Sequence, residues 1–225
     1  MKTFIQICFY YLIMLNTLDA QKDSLIYVGD PMCSWCYGFG PELEKIVHQF
    51  PELELRILTG GLRADGQEKI ADLKDFLKGH WEEIGQITGL PFSYAILDDE
   101  ELYYNTEPAC RAVVTVRRLN PSLELEYFRR LQNAFYHENQ NPVSTETFSA
   151  LAEKMGISKS EFLEAFHSQQ TIQQTRQDFS TAQSLGIRGF PSLLLKKADK
   201  VYLLSNGYRK ADELHEKISD ILSKK

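Results

Sequence analysis

The period of apolar residues changes twice along this chain of 225 residues. Ser24 to Gly29 (Ser-Leu-Ile-Tyr-Val-Gly) is a nearly continuous apolar run ended by Asp30-Pro31, the pattern of a buried strand followed by a breaker. A helix is predicted from there to about Phe50. Pro41 lies inside it, lacks a backbone donor and predicts a kink, which Gly40 would ease. Leu53, Leu55 and Ile57 then alternate with charged neighbours over Leu53 to Leu58, predicting a second strand with one face inward, ended by Gly60-Gly61.

From about Leu62 to Gln170 the apolar positions fall at helical spacing, with helices predicted at about 66–79, 107–119 and 144–155. Asn120 caps a further helix with Pro121 at its first position, and Leu125, Phe128, Leu131 and Phe135 lie on one stripe. Gly156 is placed to end a helix, and Ser158 with Glu161 forms a capping box before Phe162, Leu163 and Phe166. This block of roughly a hundred residues reads as all-helical. Mixed structure then returns. A helix near 172–185 closes at Gly186, Ile187-Arg188-Gly189-Phe190-Pro191 follows, and Ser192 to Leu195 reads as a central strand. A turn at Lys197 to Lys200, an antiparallel strand at Val201 to Leu204 and an amphipathic helix at Lys210 to Leu222 complete the chain. The order predicts an α/β fold in which a βαβ unit and a ββα unit share one sheet, with the helical block inserted between them.

Composition narrows the function more than the fold. With 43% hydrophobic and 25% charged residues the chain is an ordinary globular protein that can bury a sizeable core. A net charge of −6, without a basic cluster backed by aromatics, argues against nucleic-acid binding. Four cysteines are too few for a disulfide-built scaffold. Lys2, the apolar run Phe4 to Leu15 and Ala20 before Gln21 read as a secretory signal peptide over 1–20, too short for a membrane span, so no stable membrane association is expected. Cleavage would make the protein periplasmic or secreted and discard Cys8. The alternative is a cytoplasmic protein with an apolar start, or translation from Met14.

The chemistry gathers at Cys33-Ser34-Trp35-Cys36, where the first strand gives way to the first helix. Two thiols at this spacing can close into a disulfide and reopen. The first sulfur would sit among unpaired backbone N–H groups at the positive end of the helix dipole, which favours the attacking thiolate. A zinc site would need four ligands, yet only Cys110 and five scattered histidines could complete one, so no metal is assigned. An inert structural bridge is the other alternative. Asp30 either caps the helix start or carries protons for the deeper thiol. Trp35 either presents an apolar face to an unfolded substrate or packs beside the helical block. Gly60 and Gly61 either border the site or form an ordinary turn. Cys110 reads as a small buried hydrophobe, with a resolving or regulatory role as the alternative.

The string Asp30-Pro31-Met32-Cys33-Ser34-Trp35-Cys36-Tyr37-Gly38-Phe39, with Gly189-Phe190-Pro191 some 150 residues later, resembles thioredoxin-fold proteins of the DsbA type, most closely the FrnE-like branch. The resemblance covers essentially all of 24–225. It implies a thioredoxin-like domain made of 21–62 and 171–225, a helical insertion domain at 63–170, and thiol–disulfide oxidoreductase activity without a cofactor. On that resemblance Cys33 is the exposed nucleophile and Cys36 the buried resolving thiol. Pro191 is the cis proline facing them, and its cis peptide lets the Phe190 backbone pair with a substrate strand. The implied partners are proteins with cysteine pairs and a redox partner that recycles the dithiol. Ser34-Trp35 is neither the Pro-His pair of strongly oxidising DsbA proteins nor the Gly-Pro pair of thioredoxins, so the resemblance does not extend to extreme oxidising power.

Two other functions share this outline. Glutathione-dependent transferases and isomerases of the kappa and hydroxychromene-carboxylate type have the same helical-insert fold but use a Ser-type site. A non-catalytic thioredoxin-like chaperone would use the insert as an apolar groove. The presence of both cysteines argues against the first.

Overall fold

The computed structural model describes residues 22–224, so the reading of 1–20 as a leader and the residue Cys8 lie outside the described residues. Four strands form one sheet: β1 (Ser24–Gly29), β2 (Glu54–Thr59), β3 (Ser192–Lys197) and β4 (Lys200–Asn206), in the order β2-β1-β3-β4. β1 pairs with β2 in parallel, and the other two pairings are antiparallel. A parallel pair needs a crossover, and α1 (Ser34–Gln49) supplies it. β1 is central, and its side chains alternate between two cores. Leu25 and Tyr27 enter the main one, while Val28 joins Ala182, Ile187 and Leu194 in a smaller cluster on the opposite face.

Between β2 and β3 lie α2 (Lys74–Thr88), α3 (Glu107–Leu119), α4 (Glu124–Tyr136), α5 (Thr145–Glu153), α6 (Lys159–His167) and α7 (Gln169–Ser184); α8 (Ala211–Ser223) follows β4 and packs on α1. One expectation needs correcting. The helix placed at 66–79 begins only at Lys74 and continues to Thr88, after a 3-10 turn at Ala71–Leu73. Leu77, Trp81 and Ile84 form a buried stripe that carries the helix through Gly79, and Gly89 ends it with φ 73°. The signals at Asn120, Ser158 and Gly156 act as expected. Asn120 accepts from Ser122 N–H, Ser158 accepts from Glu161 N–H at 3.3 Å, and Gly156 adopts φ 85°. No helix among the described residues is long and apolar enough to cross a membrane.

α1 runs unbroken through Pro41. Proline removes the N–H that would have met the carbonyl of Tyr37, and the guanidinium of Arg129 on α4 donates to that oxygen instead, at 3.2 Å. Gly40 makes this possible, because a Cβ there would lie 1.9 Å from the guanidinium carbon. Sequence-local strain is thus relieved by a tertiary contact.

β2 is an edge strand, and helix side chains occupy its free hydrogen-bonding positions. Arg117 Nη1 donates to Ile57 O at 2.8 Å, and Asp178 Oδ2 accepts from both Thr59 N–H and Thr59 Oγ1 at 3.1 Å. Arg117 Nη2 also donates to Asp178 at 2.8 Å, and Glu124 stands 3.4 Å from Arg117. Two carboxylates thus share one guanidinium. Burial pushes the Glu124 carboxyl up to about 8, against the pull of Arg117 and with the push of Asp178.

Two stability experiments follow from these contacts. The folded-state value for Glu124 lies above its ordinary value of 4.5, so ionising it costs folding free energy, and stability falls as pH rises from about 4.5 through about 8. Glu124→Gln should therefore raise Tm by ~2–4 °C near pH 8, on the order of 1 kcal/mol, with the gain vanishing toward pH 4.5. Equal gains at both ends of a pH series of melts would contradict this. Arg129→Met leaves the Tyr37 carbonyl unpartnered and should cost about 1–3 kcal/mol in urea unfolding. Arg130→Met, which breaks an exposed pair with Glu126, should cost about 0.5 kcal/mol or less. Similar losses in the two variants would sink the assignment.

Candidate active site

β1 ends at Gly29, and the turn Asp30-Pro31-Met32 carries the chain into α1. Cys33 is the N-cap, with extended backbone (φ −90°, ψ 115°), and its N–H donates to Asp30 O at 3.0 Å. Cys36 lies one turn on and is fully buried. Both are free thiols in this structure. Cys33 differs from expectation: instead of an exposed sulfur, the residue is only 6% exposed. Its Sγ donates to the carbonyl of Phe190 at 3.7 Å, joining positions 157 apart in sequence.

The Phe190–Pro191 peptide is cis. Its loop is held on both sides, by Gly207 N–H donating to Pro191 O at 2.7 Å and by Ser192 Oγ donating to Gly189 O at 2.9 Å. Of Gly60 and Gly61, each a candidate site border or a plain turn, Gly60 lies against this loop. A Cβ on Gly60 would stand 2.3 Å from the Phe190 ring, and Gly61 takes φ 64° beside the ring of Phe179. Trp35 is half-buried, its ring centroid 6.0 Å from that of Tyr208 in the β4–α8 connection. Part of the Trp35 side chain stays open to solvent, and its ring partner lies outside the helical block.

Asp30, for which a helix cap and a proton carrier are the alternatives, makes no side-chain cap bond to α1. Its Oδ1 accepts from Met32 N–H at 2.8 Å, ahead of the helix, and its Oδ2 accepts from Leu62 N–H at 2.7 Å and from the Cys110 thiol at 3.4 Å. Desolvation of this wholly buried group raises its pKa, opposed by those same donors. Cys110 is therefore more than a packed hydrophobe. It is a buried thiol on α3, its pKa raised by desolvation and then by the charge of Asp30, anchored to the turn that presents the dithiol. The Tyr104 hydroxyl donates to Met32 O on the same turn.

Burial raises the Cys36 thiol well above its ordinary range, with the Cys33 sulfur adding to the rise. The backbone N–H of Asp30 and the hydroxyl of Tyr27 pull the other way. Tyr27, Tyr104 and Leu62 were not singled out from sequence. Only Tyr27 had a legible signal there: alternation along β1 puts it on the same side as Gly29, facing the dithiol helix. Chemically, the arrangement offers one sulfur at a backbone carbonyl near the surface and a second sulfur beneath it in an apolar, hydrogen-bonding pocket.

Comparison with known proteins places this geometry. The chain is similar to a candidate protein disulfide isomerase from Nitrosomonas europaea (32% identity, TM-score 0.83, covering 90% of this chain and 98% of that one). It is also similar to the cytosolic disulfide reductase DsbM from Pseudomonas aeruginosa, at 25% identity and TM-score 0.76 over 88% of this chain and 98% of that one. A 2-hydroxychromene-2-carboxylate isomerase, at 18% identity and TM-score 0.61 over 88% and 93% of the two chains, shares the fold alone. Among curated proteins, the ClpXP adapter protein SpxH of Halalkalibacterium halodurans is 22% identical over 73% of this chain, and the chain spans about half of that relative, 56% of its length. The model of the DSBA-like thioredoxin domain matches residues 25–219, and the protein belongs to that family.

Proposed function

We propose that this protein exchanges disulfides with other proteins through Cys33 and Cys36. The observation that carries the reading is the approach of the Cys33 sulfur to the Phe190 carbonyl at a cis-proline, 3.7 Å across the two halves of the fold. In the oxidised enzyme a substrate thiolate attacks Cys33 Sγ. The Cys33–Cys36 bond breaks, and its electron pair goes to Cys36 Sγ. The substrate's second thiolate then attacks the substrate sulfur of the mixed disulfide and expels Cys33 as thiolate. Substrate leaves oxidised by two electrons and the enzyme is left reduced. Run in reverse, the steps reduce or isomerise disulfides, and direction follows the potential of the redox partner.

In this reading Phe190 and Pro191 present a backbone edge to an extended substrate segment, and Trp35 lends an apolar surface beside it. Asp30 holds the turn. Residues 21–62 and 171–225 form the exchange unit, with 63–170 as the insert beneath it. A structure of DsbM was solved with GSH, which makes glutathione the first small thiol to test as the resetting partner. DsbM is named a cytosolic protein, so the chemistry does not require export. The steps are the same whether 1–20 is removed or kept.

Insulin reduction by dithiothreitol tests the reading. Wild-type protein should accelerate it, and Cys33→Ala should drop the rate to uncatalysed background. A variant that keeps full acceleration would refute the exchange reading. Client protection from aggregation that survives Cys33→Ala, with no acceleration by wild type, would mark a chaperone instead. Glutathione conjugation that survives Cys36→Ser would mark a transferase.

A further inference from the structure

Opening the Cys33–Cys36 disulfide requires Cys36 to depart with an electron pair into a pocket closed to water. The groups that act most strongly on its thiol are the Cys33 sulfur, the Asp30 N–H and the Tyr27 hydroxyl, none of them a cation. The Asp30 carboxylate, buried at the end of β1, is already taken by Met32 N–H, Leu62 N–H and the Cys110 thiol. What remains is a hydroxyl. Tyr27 lies on β1 with its ring against Phe39, centroids 6.0 Å apart. Phe39 is three positions after Cys36 on α1, so both sit on the same helix face. The hydroxyl reaches past Phe39 to the end of β1, where it stands 2.4 Å from the place a Gly29 Cβ would take. It is fully buried and without a hydrogen-bond partner among the described residues, and of the charged groups that act on it the Cys36 sulfur acts most strongly, ahead of Cys33 and Arg129.

We propose that the Tyr27 hydroxyl donates a hydrogen bond to the Cys36 sulfur as the disulfide opens, making Tyr27 a catalytic residue of the exchange reaction. The proposal deepens the exchange reading and rests on it. When a thiolate attacks Cys33, the S–S electron pair settles on Cys36, and the phenol meets the new anion without itself losing a proton. The phenol can do so because burial raises its own pKa, keeping it a donor. Phe39 and Phe128 fix the ring from two sides, so little reorganisation is needed at the moment of cleavage. Gly29 is part of the device, since any side chain there would displace the hydroxyl.

The test is single-turnover reduction of the oxidised protein by dithiothreitol, followed by maleimide gel shift. The first dithiothreitol thiolate attacks Cys33, and the second closes the reagent's own ring and releases Cys33. Tyr27→Phe keeps the ring packing and should slow opening about tenfold, the effect of one hydrogen bond to a charged leaving group. Gly29→Ala, with the hydroxyl present but pushed aside, should slow it as well. In reduced Cys36→Ser protein, where no leaving group exists, Tyr27→Phe should leave alkylation of Cys33 unchanged. Opening rates for Tyr27→Phe that match wild type would overturn the proposal. So would slowing of Cys33 alkylation by the same factor in the Cys36→Ser background, or failure of the two sulfurs to form a bond at all. Tyr27-dependent opening in a protein that does not turn over insulin would instead sink the exchange reading and leave the role of the hydroxyl standing.

Discussion

A fully buried carboxylate organises the end of the central strand. Asp30 follows β1 directly, and its two oxygens gather N–H groups from the dithiol turn and from the segment after β2, together with the thiol of Cys110 on α3. Removing such a group from water is unfavourable, and it is tolerated only because several donors converge on it. The consequence is positional. The turn that presents Cys33 cannot move independently of residues 62 and 110, so the helical block forms part of the support of the site rather than a separate body beside it. Tyr104, donating to Met32 O, adds a second tie from the same block.

A similar economy governs the sheet edge. An exposed β2 would offer unpaired backbone groups to another chain. Arg117 and Asp178 take the places of a neighbouring strand's donor and acceptor, at Ile57 O and Thr59 N–H. These side chains come from α3 within the inserted block and from α7, which follows it. Meeting that requirement brings Glu124 into a poorly hydrated position beside an arginine already engaged elsewhere, which explains why its carboxyl holds a proton to higher pH than an exposed one. The edge is protected at some electrostatic cost, and the cost is confined to one residue.

What the sequence makes legible divides by range. β1 at Ser24–Gly29 and α3 at Glu107–Leu119 match expectation residue for residue, because a run between breakers and a helix with an early proline are local signals. The pairing of the dithiol with a cis Phe190–Pro191 also came through, carried by a resemblance that holds both motifs together. The start and end of α2 did not. Its stripe of Leu77, Trp81 and Ile84 prevails over the helix cost of Gly79, about 1 kcal/mol, through tertiary packing that no local rule weighs. Two of the three groups that donate to the Asp30 carboxylate lie 32 and 80 positions away, and Arg129 repairs a proline 88 positions earlier. Such contacts have no spacing to read.

The near-complete cover over Cys33 has a functional consequence within the proposed chemistry. Its thiol is spent on the Phe190 carbonyl, the same oxygen that an extended substrate would need as an acceptor for its own N–H. Substrate pairing and release of the sulfur are then one event. A chain that docks along Phe190 takes over the carbonyl and frees Cys33 beside its own sulfur, whereas a small oxidant that cannot pair leaves the thiol engaged. Gly60 fits this picture, since its lack of a side chain lets the Phe190 ring settle against the segment after β2. Under the exchange reading, low exposure and reactivity toward protein thiols are compatible, because the carbonyl that engages the sulfur is also the one a docking strand would take.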